Sequence, residues 1–535
     1  MGSSPRQSNS SKGAPALESR VEEALGRTVA AELPRLLPHQ RWFGSKGRVI
    51  AAVAAADWAR LGEHGWLGLV DVAFDEGAGE RYLVAFVLRE ASAPHPALSL
   101  ALDLDGTAVH ADDAFEDPRF CRALLEAFGR GTSVPSARGC LRFVRSDRVT
   151  CLVEAAALPP RRLGVEQSNT SVVYGDRWVL KALRRIEPGI SLDYEVAAFL
   201  TSRARFAHVP TVAGALEYVP AVGSVATLAI VQRYVPSRGD GWAWVLEQLG
   251  GLRDLLATRV RREPIDASEL GSLVGASGAA VLGALGRLGA LTGGLHDALA
   301  SDAADPAFAP EAITAADSAA WGARIAADLG RTCAILRARL RALPEAVQRR
   351  AGAVLTGEAA LRARLGDLVT LAEDRCAKIR VHGDYHLGQT LRTDEGFVIL
   401  DFEGEPARPA AERRAKQSPL TDVAGMLRSF DYAATTALGS TDEFALVADA
   451  WRQVATGAFL DAYVEVVSRA RVRLVPVSRR TLERALAAFE LDKALYEVRY
   501  EIDHRPGWVG VPLRGLCRLS EQAGLPRADR STSPR

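Results

Sequence analysis

The side chains best suited to chemistry are concentrated in VHGDYHLGQTLRTDEGFVILDFEGEP, residues 381–406. Asp384 could take a proton from a hydroxyl group, because a carboxylate can act as a general base. Gln389 follows it by five residues, and Asp401 follows the apolar run FVIL. We expect FVILDF to form a strand that continues as an extended segment, so that Asp401 and Glu403 point the same way. Two carboxylates and an amide oxygen are hard ligands that suit Mg²⁺.

The order and spacing of these residues match the protein-kinase pattern H-R-D-x-x-x-x-N followed by D-F-G. In that pattern the first aspartate accepts the proton of the substrate hydroxyl, while the asparagine and the second aspartate bind metal. Gln389 stands in place of the asparagine, and its amide oxygen can still reach a metal ion. DFE replaces DFG. The segment therefore predicts phosphoryl transfer, with Asp384 as the catalytic residue and Gln389, Asp401 and Glu403 as Mg²⁺ ligands.

A lysine upstream fits the same chemistry. In SVVYGDRWVLKALRR, residues 171–185, two alternating apolar runs flank Gly175-Asp176, which predicts a hairpin with a two-residue connection. Lys181 lies in the second strand, where a lysine either reaches outward to water or is buried beside a carboxylate. Kinases pair such a lysine with a helix glutamate to hold the α- and β-phosphates. Glu195, in the helix-like SLDYEVAAFL, is the predicted partner.

Two further segments could contact the nucleotide. EQSNTS, residues 166–171, contains small polar residues whose backbone N–H groups and hydroxyls could cover phosphates, although a plain turn is the alternative and no GxGxxG is present. VQRYVP, residues 231–236, lies where strand-like sequence gives way to helical sequence, and we expect it to be the hinge beside adenine. The predicted ATP-binding residues are Lys181, Glu195, Gln167, Ser168, Asn169, Thr170, Ser171, Gln232, Arg233, Tyr234 and Val235.

Two alternatives to the kinase interpretation remain for the segment 381–406. His382, Asp384 and His386 alternate as H-x-D-x-H, which could be a fragment of a zinc site. A polar loop before a core strand is the purely structural alternative. However, a lysine, a glutamate, an aspartate, a glutamine and a second aspartate occur in kinase order across more than 200 residues. This order favours phosphoryl transfer.

Whole-chain quantities fit an enzyme of this kind. A length of 535 residues suggests two to four domains. The 66 basic and 65 acidic residues leave a net charge of +1, which favours neither nucleic acid nor an anionic membrane as a partner. Six cysteines without a CxxC pair indicate reduced thiols. We find no signal peptide and no apolar run of about 20 residues, so we expect a soluble, cytoplasmic protein.

The periodicity of apolar residues predicts an α+β fold whose elements change from β-rich to helical along the chain. Residues from Val21 to Leu36 have helical spacing, and DDAFEDPRFCRALLEAFGRG reads as a capped helix. The predicted divisions are a disordered tail (1–18), a cap subdomain (19–135), a β-rich N-lobe (136–236), a helical C-lobe (237–520) and a flexible tail (521–535).

The segment LDKALYEVRYE offers an acceptor-binding surface. Helical spacing places Lys493, Tyr496, Glu497 and Tyr500 on one face. Aromatic rings with polar tips suit the faces of sugars, although a core face with a polar fringe is the alternative. Trp508 could be a sugar platform or packing. We expect His296, in GGLHDAL, to be a core residue of a helix.

The chain resembles the maltokinase family, within the aminoglycoside-phosphotransferase-like kinases, over nearly its whole length. The resemblance is carried by LPHQRWFGSKGR, EQSNTSVVYGDRWVLKALRRIEPG, HGDYHLGQ, DFEGEP and LDKALYEVRYEIDHRPGWVGVPLRGL. It implies a bilobal, protein-kinase-like fold with an N-terminal cap. It also implies conversion of maltose into maltose 1-phosphate for α-glucan (glycogen) synthesis with ATP and Mg²⁺, and a functional partnership with trehalose synthase, although we expect no fused synthase domain here.

The resemblance extends the sugar site from the face of LDKALYEVRYE to Asp384 and His382, beside the reacting hydroxyl, and to Arg518. A kinase for glucosamine or another monosaccharide would present a similar face and is one alternative. A nucleotide-binding regulatory protein without catalysis is another. We expect a monomer or homodimer.

Overall fold

The structure is a computed structural model that describes residues 14–63, 65–90, 98–146, 152–164, 168–260, 266–438 and 442–523. The chain divides into two compact units. The first comprises Met1–Ala198 and Pro210–Pro236, and the second comprises Phe199–Val209 and Ser237–Arg535. The predicted division into cap, N-lobe and C-lobe does not coincide with these two units and stays a prediction.

The first unit begins with a helix packed on an antiparallel sheet. The elements are α1 (Ala14–Leu36), β1 (Ile50–Leu61), β2 (Gly65–Phe74), β3 (Glu80–Glu90), β4 (Ser99–Leu104) and β5 (Thr107–Asp113). The strand order is β1-β2-β3-β5-β4, and α1 contacts β1 and β4. The predicted tail 1–18 was wrong for residues 14–18, because ALESRVEEAL consists mostly of good helix formers and continues the helix. Residues 1–13 lie outside the described residues.

A second antiparallel sheet completes this unit. Its strands are β6 (Ser133–Pro135), β7 (Gly139–Arg145), β8 (Pro160–Arg162), β9 (Asn169–Tyr174), β10 (Trp178–Leu183), β12 (Val212–Pro220) and β13 (Ala226–Arg233), while β11 (Arg185–Ile186) pairs with β3 of the first sheet. The helices are α2 (Pro118–Arg130), α3 (Leu152–Ala155) and α4 (Leu192–Phe199). The predicted capped helix is confirmed: the Asp117 carboxylate accepts the N–H of Arg119, and Gly131 ends α2 with φ 61°.

The two sheets share one hydrophobic core. Leu83 of β3, Phe128 of α2 and Leu180 of β10 belong to the same cluster of buried side chains. Arg184 lies within this core with no exposed surface, and its guanidinium donates to both carboxylate oxygens of Asp113 at 3.2 and 2.9 Å. The residues that the sequence divides between cap and N-lobe therefore pack as one body in this unit.

The predicted hairpin around Gly175 is confirmed, but its connection has three residues rather than two. The connection is Gly175–Arg177, between β9 and β10, and Trp178 pairs with Tyr174. Gly175 has φ 44°, a left-handed value that glycine adopts at little cost. The pairing places Lys181 between Ser171 of β9 and Ile230 of β13, in the interior of the sheet.

The second unit is mainly helical. Its helices are α5 (Gly241–Val260), α6 (Ala267–Ser277), α7 (Ala279–Leu299), α8 (Ala315–Arg339), α9 (Glu345–Thr356), α10 (Glu358–Ala363), α11 (Val369–Glu373), α12 (Ala410–Arg414), α13 (Leu420–Leu438), α14 (Asp442–Val467), α15 (Arg479–His504) and α16 (Gly510–Ala523). Two short antiparallel sheets accompany them: β14 (Glu311–Ala312) pairs with β15 (Ala377–Lys378), and β16 (Thr390–Arg392) forms a hairpin with β17 (Phe397–Ile399). Because α16 includes residues 521–523, the predicted tail 521–535 was wrong there; residues 524–535 lie outside the described residues.

Helices α7 and α14 pack closely against each other in this unit. A Cβ at Gly289 would lie 2.1 Å from the carbonyl oxygen of Phe459, so a larger residue would push the helices apart.

Within the described part of the chain no single helix has the length and apolar composition to cross a membrane. The helix pair Glu269–Ser277 and Ala279–Leu299 passes the same test only when taken together, and it bends by 83° at its junction.

Helix α13 approaches the HGDYHLGQ segment through a glycine. A Cβ on Gly425 would lie 2.6 Å from the carbonyl oxygen of Tyr385. We expect Gly425→Ala to lower the free energy of unfolding by about 1–3 kcal/mol, because overpacking must displace the helix or the loop. Urea denaturation measures this change.

The matched control is Gly457→Ala on α14, where an added Cβ meets no atom within 4 Å. That variant should be neutral or more stable by up to about 1 kcal/mol, since alanine restricts the unfolded chain more than glycine does. Equal stability changes for the two variants would contradict a close approach at Gly425.

Candidate active site

The HGDYHLGQ segment is anchored to α13 by a buried aspartate. The Asp422 carboxylate accepts the backbone N–H of His382 at 2.8 Å and that of Gly383 at 2.9 Å. Its Oδ2 also lies 3.2 Å from Nε2 of His296, whose Nδ1 lies 3.0 Å from the Tyr463 hydroxyl. Burial raises the pKa of Asp422, but the contact with His296 and the backbone donors outweigh it and hold that pKa below its usual value. His296 is fully buried, which confirms its prediction as a core residue.

His382 orders this loop from within the core. Its Nε2 donates to the carbonyl of Leu400 at 2.8 Å, and its Nδ1 accepts the backbone N–H of Asp384 at 3.4 Å. The residue is 1% exposed. Both ring nitrogens are therefore used by backbone groups, and this geometry does not support the predicted sugar contact of His382.

Asp384 lies at the surface of this loop with two groups facing its carboxylate. The Lys493 ammonium donates to Oδ1 at 3.0 Å, and His386 Nε2 lies 3.8 Å from Oδ2. Burial raises the pKa of Asp384, but the charge and hydrogen bond of Lys493, together with smaller contributions from neighbouring groups, outweigh burial and hold that pKa below its usual value. The carboxylate is therefore ionised near neutral pH, as a proton acceptor must be.

Helix α15 carries a row of aromatic side chains away from Asp384. Lys493 lies 5.3 Å from the centre of the Tyr496 ring, Tyr496 stacks on Tyr500 at 6.1 Å, and Tyr500 stacks on His504 at 4.5 Å. Tyr500 is 39% exposed. Because its ring faces its two neighbours, the hydroxyl and ring edge are the parts of Tyr500 that a ligand could contact.

Two other residues predicted to bind sugar belong to a different cluster. Arg428 donates to the Glu497 carboxylate from Nε and Nη2, at 3.0 and 2.7 Å. Arg428 and Arg518 both bond the same oxygen of Asp431. Glu497 is 9% exposed, so its carboxylate is buried between the helices, where Arg428 binds it. This geometry does not support the predicted sugar contacts of Glu497 and Arg518, because the helical spacing showed the face but not the partner of each side chain.

The proposed metal ligands lie on either side of the short hairpin of β16 and β17: Gln389 precedes β16, and Asp401 and Glu403 follow β17. The N–H of Leu400 donates to the carbonyl of Gln389 at 2.9 Å, so the residues before β16 and after β17 lie side by side. Asp401 has φ 57°, and residues 402–403 form a turn. The predicted extended segment was therefore wrong, and Asp401 and Glu403 do not point the same way by strand alternation. The metal-binding roles of all three residues stay predictions.

The chemistry of these donors fits Mg²⁺. Mg²⁺ prefers oxygen ligands and commonly takes only one or two carboxylates from the protein, with phosphate and water oxygens completing its shell. Gln389 supplies an amide oxygen and Asp401 a carboxylate. Within the described residues there is no group of three or more His, Cys, Asp or Glu side chains that could hold a metal ion.

In the first unit, Lys181 is buried and paired with a helix carboxylate. It is 6% exposed, and its Nζ donates to Asp193 Oδ2 at 3.0 Å. Asp193 lies in the first turn of α4, two residues before the predicted partner Glu195. The structure thus pairs the strand lysine with a helix acid, Asp193, which the sequence analysis did not name. Sequence could have suggested it, since SLDYE offers two acids one turn from the helix start. The roles of Lys181 and Glu195 in binding ATP stay predictions.

We expect Asp193→Asn to lower the free energy of unfolding by about 3 kcal/mol, because it removes one charged partner of a buried ion pair. It should also raise the KM for ATP. Urea denaturation and initial rates measure the two effects. Asp71→Asn is the control, since Asp71 pairs with Arg81 with both side chains 40–50% exposed, and such a pair contributes about 1 kcal/mol or less. Equal losses in the two variants would contradict the role of Asp193.

The predicted phosphate loop is shorter than the sequence suggested. Asn169, Thr170 and Ser171 lie in β9, where they pair with residues 181–183 of β10. Thr170 accepts a hydrogen bond from Arg184 Nε at 2.8 Å. Ser168 precedes the strand, and Gln167 lies outside the described residues. Their roles in binding ATP stay predictions.

The predicted hinge begins inside a strand. Gln232 and Arg233 end β13, and Tyr234 and Val235 follow it. The N–H of Tyr234 donates to the carbonyl of Arg177 at 2.9 Å, so this N–H is already used by the protein.

The sequence left open whether Trp508 binds sugar or packs in the core. Its ring stacks on Tyr432 with an interplanar angle of 14°, which makes it part of the helix packing.

Comparisons with known proteins agree with this architecture. A family model described as the maltokinase N-terminal cap domain matches residues 36–117. A glucosamine kinase from Streptacidiphilus jiangxiensis is 30% identical over 421 residues, which cover 78% of this chain and 81% of the relative. A glucosamine kinase from Mycolicibacterium smegmatis is 28% identical over 454 residues, covering 84% of this chain and 97% of the relative.

A solved structure has a similar fold. The structure of a glucosamine kinase in complex with glucosamine, ADP and inorganic phosphate matches with a TM-score of 0.62 and 26% identity, over 92% of this chain and 98% of that one. The antiparallel β-rich lobe, the helical lobe and the added cap are those of a protein-kinase-like fold, as the sequence predicted.

Proposed function

The chain belongs to the maltokinase family of aminoglycoside-phosphotransferase-like kinases, and from that premise we propose that it transfers the γ-phosphate of MgATP to the anomeric hydroxyl of maltose. The product would be maltose 1-phosphate, a donor for glycogen synthesis. The observation that carries the proposal is the Asp384 carboxylate, held by Lys493 at the start of the aromatic row of α15. The partnership with trehalose synthase and the cytoplasmic location stay predictions.

Each of these residues has a separate role in the proposed transfer. Asp384 orients the acceptor hydroxyl and takes its proton as the oxygen bonds to the γ-phosphorus and the bond from that phosphorus to ADP breaks. Lys181, held by Asp193, contacts the phosphates that do not react. Gln389 and Asp401 would hold Mg²⁺, which when bound neutralises charge on the phosphates. Positioning and charge therefore supply most of the rate.

The length of the aromatic row favours a disaccharide over a monosaccharide. From Lys493 to Tyr500 is seven residues, or about 10 Å along the helix. One pyranose ring beside Asp384 would cover only the first part of this row, whereas a second linked ring could reach the hydroxyl and edge of Tyr500. The match of residues 36–117 to the maltokinase cap domain supports the same acceptor.

The second candidate is phosphorylation of glucosamine. It is favoured by the two relatives named glucosamine kinase, at 30% and 28% identity. Both candidates place a sugar hydroxyl at Asp384 and differ in what occupies the far end of the row.

A panel of sugars with MgATP, read out as ADP release, tests the proposal. We expect the highest kcat/KM with maltose, and NMR should locate the phosphate on the anomeric oxygen. A preference for glucosamine, or a phosphate elsewhere on the ring, would refute maltose while retaining the sugar kinase. No turnover with any sugar would instead favour the nucleotide-binding regulatory protein.

A further inference from the structure

The two carboxylate oxygens of Asp384 have different surroundings. Oδ1 accepts a hydrogen bond from the ammonium of Lys493 at 3.0 Å. Oδ2 accepts none from the described residues, and the group nearest to it is Nε2 of His386, at 3.8 Å. Because the bond to Lys493 stabilises negative charge on Oδ1, Oδ2 is the oxygen that remains for an incoming proton.

The local backbone fixes the tautomer of His386. Nδ1 accepts the backbone N–H of Gly388 at 3.1 Å. A backbone N–H can only donate, so Nδ1 carries no proton in this arrangement, and a neutral ring must carry its proton on Nε2. Burial lowers the pKa of His386, and this effect outweighs the attraction of Asp384. His386 is thus a neutral ring with its proton on Nε2, and Nε2 lies 3.8 Å from Oδ2 of Asp384.

Both groups can be reached by a substrate. The side chain of His386 is 39% exposed and that of Asp384 is 22% exposed. By contrast, His382 is 1% exposed and has its ring nitrogens on backbone groups. Of the two histidines in the H-x-D-x-H pattern, only His386 therefore presents a ring nitrogen next to the carboxylate of Asp384.

We propose that His386 is a catalytic residue of the phosphoryl transfer, donating its Nε2–H to the acceptor oxygen while Asp384 Oδ2 takes the proton of that hydroxyl. The inference rests on the proposed function. At a separation of 3.8 Å, one hydroxyl oxygen placed to the side can lie within hydrogen-bond distance of both atoms. Negative charge that develops on the oxygen as its proton leaves is then stabilised by a fixed donor.

The electron pair of the acceptor oxygen forms the new bond to the γ-phosphorus of ATP. The bond from that phosphorus to the bridging oxygen breaks, and its electrons leave with ADP. The proton of the hydroxyl ends on Asp384. His386 does not take up this proton, because the N–H of Gly388 occupies Nδ1, and its Nε2–H donates a hydrogen bond without being transferred.

A purely structural role is the competing interpretation, since His386 also caps the short turn at residues 387–389. Two substitutions separate the roles. Asparagine places an acceptor oxygen near the position of Nδ1, so His386→Asn keeps the cap but removes the donor toward Asp384. Glutamine places an N–H near the position of Nε2, so His386→Gln keeps the donor but gives up the cap.

We expect His386→Asn to lower kcat by about 10²-fold, the effect of removing one donor to a developing oxyanion, with the KM for ATP unchanged. His386→Gln should retain at least about tenfold more kcat than His386→Asn. In an Asp384→Asn background, His386→Asn should cost much less than it does alone, because both residues act on one oxygen. Thermal unfolding verifies that each variant is folded.

A wild-type kcat in His386→Asn, or a lower kcat in His386→Gln than in His386→Asn, would overturn the catalytic role while leaving the sugar kinase intact. Absence of sugar turnover by the unmodified protein would refute the proposed function itself. In that event the same variants are compared on MgATP hydrolysis, with water as the acceptor. Hydrolysis equal to that of the unmodified protein would then overturn the role of His386.

Discussion

Replacing Asp384 by asparagine should lower kcat by at least about 10²-fold, the lower end of a general-base contribution. Asparagine has the shape of aspartate but cannot take the proton of the acceptor hydroxyl. The KM for ATP should change little, because Asp384 is proposed to act on the sugar. Initial rates at saturating sugar, with ADP release as the readout, measure the effect.

The control is Asp461→Asn on α14, since Asp461 pairs with Arg479 and is 74% exposed. It should leave kcat unchanged. Lys493 loses its 3.0 Å partner in Asp384→Asn but keeps Glu405 at 3.9 Å, so the fold should survive, and urea denaturation verifies this. Near-normal turnover by a folded Asp384→Asn protein would remove Asp384 from the role of base.

Replacing Asp401 by asparagine should lower activity at millimolar Mg²⁺ by about 10³-fold, because a bound metal supplies several kcal/mol of charge stabilisation. Asparagine is the appropriate substitution since Asp401 has φ 57°, a left-handed value that asparagine tolerates better than alanine. The backbone turn should therefore persist while a charged oxygen ligand is lost. Titration of activity with Mg²⁺ measures both the maximum rate and the metal concentration at half-maximum.

Asp394→Asn is the matched control for this experiment. Asp394 lies in the turn of the same β16–β17 hairpin, is 78% exposed and pairs with Arg238. It should show the Mg²⁺ dependence of the unmodified protein. An Asp401→Asn variant with an unchanged Mg²⁺ titration would count against Asp401 as a metal ligand, whatever its effect on stability.

Local patterns were sufficient to predict most elements near the site. Alternating apolar residues predicted β9 and β10 around Lys181, and helical spacing placed Lys493, Tyr496 and Tyr500 on one face of α15. An aspartate before a helix and a glycine after it predicted α2 and its caps. These features depend on residues within a few positions of one another, so they can be recognised without knowing the fold.

What required the tertiary structure was the partner of each charged side chain. Asp193, which the sequence analysis did not name, lies 3.0 Å from Lys181, and Glu497 is bonded to Arg428, 69 residues away. Helical spacing could not distinguish Glu497 from Lys493, because residues from other parts of the chain decide which partner each side chain binds. The sequence likewise did not predict the turn at Asp401, since a strand pattern does not mark the residue at which the backbone leaves the extended region.

The sequence by itself determined the order of the chemical groups and the elements that carry them: Lys181 on a strand, Asp384 on a loop, Asp401 after a short strand. Only the tertiary structure decided that Lys493, 109 residues along the chain from Asp384, bonds one oxygen of its carboxylate. The physical reason is that hydrogen bonds and ion pairs act over a few ångströms. Groups more than 100 residues apart meet at that distance only after the helices have packed.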